Sequence, residues 1–110
     1  MPNSDDLNEQ YQAARNELQQ ARNMVEPGSD EDEEIGDAMA ALDRANLNRI
    51  KNEYSEGTAN LQAAVGKLES VRNNINANPV SGGLDDVNAA LGKVNSLVAK
   101  FDELASGGGA

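Results

Sequence analysis

The sequence predicts an all-α protein, an antiparallel bundle of three helices whose long central helix bends near Gly57. Three observations predict it. Apolar residues recur at steps of three and four over nearly the whole chain. Pro and Gly occur together at only two internal places, Pro27-Gly28 and Asn78-Pro79-Val80-Ser81-Gly82-Gly83. Between them a heptad runs unbroken from Leu47 to Ile75.

The first helix, about 5–26, carries Leu7, Tyr11, Ala14, Leu18, Ala21 and Val25 on one face, with mostly Gln, Asn, Glu and Arg between them. Ser4 or Asn3 can cap its start, and Asp5 and Asp6 place negative charge at the positive end of its dipole. Pro27 and Gly28 end it.

The second helix, about 30–77, opens on an acidic run. Ser29 is the expected N-cap, Asp32 sits where an acid can reach back to the cap, and Ile35, Met39 and Leu42 begin the apolar series. Leu47, Tyr54, Leu61, Leu68 and Ile75 then follow at intervals of seven, with Ile50, Gly57, Ala64 and Val71 three residues further on. The step of five from Leu42 to Leu47 requires the buried face to rotate near 43–46. One such helix is a rod of roughly 70 Å, with the two shorter helices end to end along it. The alternative is a tight turn at 55–58, which gives four helices in an up-down-up-down bundle. The heptad favours the rod, because a turn normally resets the phase.

The last helix, about 84–105, carries Leu84, Val87, Leu91, Val94, Val98 and Phe101, widened by Leu97 and Leu104. Residues 1–105 therefore read as one domain, followed by a flexible Gly-rich tail at 106–110.

Composition limits what this domain can do. Leu, Ile, Val and Phe number 21 of 110 residues, so the core is thin, and Tyr11, Tyr54 and Phe101 are too few to line a roomy ligand pocket. The chain has neither Cys nor His, which removes disulfides, Ser-His and Cys-His pairs and the usual zinc and haem ligands. Asp30, Asp32 and Glu34 alternate as in a calcium loop, but Ile35 and Ala41 occupy the positions that need Gly and Glu. Gly82-Gly83 precedes a helix without the Lys of a phosphate loop. No catalysis, metal or cofactor is expected. Residues 1–6 lack a secretory signal's basic start and apolar stretch, and no run approaches a membrane span. The expectation is a soluble chain, cytoplasmic by default, with signal-less export left open.

Charge is lopsided. Residues 1–43 hold 12 acids and 2 bases, while residues 44–110 hold 7 of each, so the whole net charge of -10 lies in the first part. Clustered Lys and Arg are missing, so direct nucleic-acid binding is not expected, and a partner with a basic surface is. The expected partner-binding residues are Asp30, Glu31, Asp32, Glu33, Glu34 and Asp37, together with Leu97, Phe101 and Leu104, an apolar stripe that a rod two helices thick leaves uncovered. Two functions follow. The first is a non-catalytic helical interaction module, acting as an adaptor or chaperone or by self-association into a homo-oligomer. The alternative is an acidic inhibitor that imitates nucleic acid and binds a basic protein.

In length, lack of Cys, helical hairpins and Gly-rich end the chain resembles small secreted helical proteins of bacterial specialised secretion systems and phage assembly factors. It has no Trp-x-Gly turn, and Asn78-Pro79-Val80-Ser81 is only loosely similar to the Pro-containing turn of needle subunits. No family is assigned.

Overall fold

A computed structural model describes residues 4–77 and 83–106. It holds four helices: α1 (Ser4–Met24), α2 (Asp30–Ile50), α3 (Tyr54–Ala77) and α4 (Leu84–Ala105). The close backbone approaches are between neighbours, in the pairs α1–α2, α2–α3, α3–α4 and α1–α4, and the diagonal pairs lie farther apart. This is the arrangement of an up-down four-helix bundle. Its extents are 48 × 19 × 18 Å, well short of a 70 Å rod.

The expected rod, three helices with a bend near Gly57, is therefore corrected to four helices, and the reversal lies at Lys51, Asn52 and Glu53 rather than at 55–58. The amide of Asn52 donates to the carbonyl of Arg49 at 3.0 Å, and that of Glu53 to Asn48 at 2.7 Å. This pair of bonds is a Schellman closure, with Asn52 left-handed at φ 61°. Asn tolerates that conformation better than other residues with a Cβ. The Asn48 side chain binds across the turn, donating to Glu53 Oε1 at 3.0 Å and accepting from Asn60 at 2.7 Å.

The misleading signal was the heptad's first two residues. The buried series of α2 is Ile35, Ala38, Met39, Ala41, Leu42, Ala45 and Arg49, which keeps its phase to the last turn. No rotation at 43–46 occurs. Leu47 and Ile50 share a spacing with α3 but face outward, 55% and 60% exposed. Arg49 takes the inward position, 9% exposed, and its Nε donates to Asn46 at 3.1 Å. Within α3 the heptad is real, since Gly57, Leu61, Ala64, Leu68, Val71 and Ile75 are all buried.

Ser29 caps α2 as the sequence predicts, while Asp32 reaches past the cap to the residue before it. Ser29 Oγ accepts the amide of Asp32 at 3.2 Å. Asp32 reaches back to the amide of Gly28 at 3.0 Å, and Gly28 takes φ 81°. The expected cap at Asn3, most of the connection at 78–83 and the end of the tail lie outside the described residues. The core is one continuous cluster from all four helices, with Leu7, Leu18, Ile35, Leu42, Leu61, Leu68 and Leu97 fully enclosed. Each such Leu contributes about 1.5–3 kcal/mol through burial.

Candidate interaction surface

The four-helix arrangement changes which residues a partner can reach. Leu97 and Phe101 are in the core, and Leu104 packs half-buried at its edge. A rod leaves that stripe bare; in the bundle, α1 and α3 flank α4 and cover it. Phe101 also meets Tyr54 edge to face, with ring centroids 5.5 Å apart.

The acidic candidates are at the surface. Asp30, Glu33 and Asp37 are exposed, and Glu31, Asp32 and Glu34 are partly covered. They are not equivalent. Asp32 Oδ1 accepts from Arg22 Nε at 2.8 Å, and that guanidinium, with the Gly28 amide, holds its carboxyl below its ordinary value. Asp37 lies 3.6 Å from Lys67 of α3, both well exposed. Oε2 of Glu34 is shielded from solvent and has no hydrogen-bond partner among the described residues.

Asp5, Asp6 and Glu9, at the start of α1, fall at the opposite end of the bundle from the acidic turn of α2, because α1 and α2 run antiparallel. The end that carries Asp30 gathers Asp85 and Asp86 of α4 instead. Burial pushes the carboxyl of Asp86 above its ordinary value, and the neighbouring Glu17 and Asp85 push it further. Lys93 is the nearby cation, 3.6 Å from Glu17. Another acid of the first hairpin, Asp43, is tied down: it accepts from Tyr11 Oη at 2.5 Å and from Arg15 Nε at 3.0 Å. That clamp joins α1 to α2 and raises the Tyr11 hydroxyl, through burial first and Asp43 second.

Sequence reasoning missed the surface formed by Leu47 and Ile50. They are one helical turn apart, and with Met24 at the other end of the bundle they are the large apolar side chains that stay exposed among the described residues. Their signal was present in the step of five after Leu42, which marks Leu47 as out of phase with α2's own core. They continue an outward row on α2 of Asp30, Glu33, Asp37, Ala40, Arg44 and Leu47, all exposed and spaced by three and four.

Cavities are slight. An enclosed space beside Arg49, Leu42 and Phe101 has a volume of about 10 Å³, at the lower limit for one water. Two open troughs are found among the described residues. One, about 220 Å³, is at the α2–α3 turn beside Tyr54 and Leu104, and the other, about 450 Å³, is over Gly66 between Glu34, Ala63, Lys67 and Ser70. No group of three or more Asp or Glu among the described residues is placed to hold a metal ion, and no helix is long and apolar enough to cross a membrane. No family model, curated protein or solved structure matches the chain.

Proposed function

We propose that the protein is a non-catalytic helical module that works by contacting another protein, and that Leu47 and Ile50 anchor the contact. The supporting observation is their exposure. Among the described residues the large apolar side chains are mostly buried or partly buried, Met24 stands exposed alone at the end of α1, and Leu47 and Ile50 are exposed as an adjacent pair on the last turn of α2. Covering such a pair is worth about 25 cal/mol per Å² of apolar surface removed from water. Arg44 and Lys51 flank the pair and suit a partner with carboxylates nearby.

The test compares the wild type with the Leu47→Ser, Ile50→Ser double variant in extracts of cells that produce the chain. The wild type is expected to fractionate in an assembly larger than the free chain and the double variant as the free chain. Identical elution of both as the free chain contradicts the reading.

A second reading has its own support. The end that carries Asp30 and Glu31 also carries Asp85 and Asp86, where Asp86 is raised by burial first and by Glu17 and Asp85 next, and a cationic partner relieves the repulsion among these carboxylates. This is the acidic-inhibitor alternative. An assembly that survives the double variant but dissociates as salt is raised favours it, because screening acts on charge and not on apolar contact.

A further inference from the structure

We propose that the partner of this surface is a second copy of the chain, held antiparallel along α2; the inference rests on the reading that Leu47 and Ile50 anchor a protein contact. The outward row of α2 is divided by charge. Its first half presents Asp30, Glu33 and Asp37, its middle Ala40, and its second half Arg44, Leu47 and, one turn on, Lys51. A parallel pair sets like charge on like. An antiparallel pair on a two-fold axis between residues 40 and 41 sets Asp37 of each copy against Arg44 of the other, and Asp30 against Lys51. Charge thus selects one direction and one register.

Side-chain size agrees with charge. Ala40 stands at the axis, where a small residue allows two helices to approach to the lower end of their usual 8–10 Å separation. In the same register Leu47 meets the second turn of the partner's α2, where the stems of Glu33 and Glu34 can cover it. The competing intrachain contacts are weak: Asp37 and Lys67 are 3.6 Å apart and exposed, and Arg44 reaches Asn60 only at 3.5 Å. A single helix pair is a small interface, at or below the low end of about 1,200–2,000 Å² for stable complexes, so the dimer is concentration-dependent.

Sedimentation of the purified protein across a concentration series tests this. A monomer–dimer equilibrium is expected for the wild type. Asp37→Arg and Arg44→Asp should each weaken it about tenfold or more, and the two together in one chain should restore it, because each contact is re-formed with its charges exchanged. Since the chain has no Cys, Ala40→Cys gives a second readout: mild oxidation should link two copies through residue 40, while Gly92→Cys, on the exposed face of α4, should not. A wild type that stays monomeric throughout, or a double variant as weak as the single ones, overturns the proposal. If the purified chain is monomeric while the extract assembly still depends on Leu47 and Ile50, the partner is another protein and the broader reading stands.

Discussion

The ring of Phe101 occupies the space that a side chain at Gly57 would need: a Cβ there would stand 2.6 Å from Cε2 and 2.7 Å from Cδ2. Gly57 is therefore a point of close approach between α3 and α4 and not a bend. Gly66, two and a half turns on, has nothing within 4 Å of the same position. One substitution should thus have opposite effects at the two sites. Gly57→Ala should destabilise by about 1–3 kcal/mol, since overpacking outweighs the gain in helix propensity. Gly66→Ala should stabilise by about 1 kcal/mol, since only propensity changes. Urea unfolding of the two variants checks both signs.

The α2–α3 reversal depends on a left-handed Asn52. Replacing it by Ala should cost about 1 kcal/mol, because a Cβ disfavours that region and Ala lacks the local hydrogen bonding that Asn offers there. Asn52→Gly should not destabilise, since Gly takes positive φ freely. Thermal melts of the pair distinguish this turn from one at 55–58, where position 52 is ordinary helix and Gly is the worse residue of the two.

Asp32 and Asp86 should give opposite pH responses. The folded protein depresses Asp32, so its stabilisation is present above the unfolded value of about 3.9 and is lost as pH falls through the lower folded value. It raises Asp86, so the charged form is penalised at neutral pH and the penalty disappears as pH falls through the raised value. Asp86→Asn should therefore raise the melting temperature at neutral pH, with the advantage fading on acidification. Asp32→Asn should lower it at neutral pH. Melts of both variants from about pH 7 to pH 3 cover the window.

The first helix should open before the third. Its seam includes Ala14 and Ala21 where α3 has Leu68 and Val71, and it belongs to the part of the chain that holds the net charge of -10. Amides of α1 should exchange faster than those near Leu68, and added salt should narrow the difference by screening the repulsion. Equal protection at low salt contradicts this. Leu68→Ala, at a fully enclosed site, should cost about 2–5 kcal/mol.

Much of the fold was legible in the sequence where a signal was local. Ser29 after Pro27-Gly28 announced the start of α2, and the stripes of α1 and α4 announced two amphipathic helices. The end of α2 was not legible, for three reasons. Leu47 and Ile50 matched the spacing of α3's core although they face water, the inward position of the last turn is filled by Arg49, a residue type that is rarely buried, and the turn used Asn where Gly is the usual marker. The surface was misjudged for the same cause. Leu97 and Phe101 are uncovered only in a rod, and the pair that is exposed had been assigned to the core. Of the acidic candidates Asp30, Glu33 and Asp37 are exposed and Glu31, Asp32 and Glu34 partly covered, and only the four-helix arrangement brings Asp85 and Asp86 to the same end of the bundle.

The most direct test of the account is site-specific photo-crosslinking in cells that produce the chain. A crosslinking side chain is placed at Leu47 and, separately, at Gly92, both exposed in the free chain. The account predicts discrete protein adducts from position 47, whether to a second copy or to another protein, and only diffuse background from position 92. No adducts from position 47 above that background would contradict it.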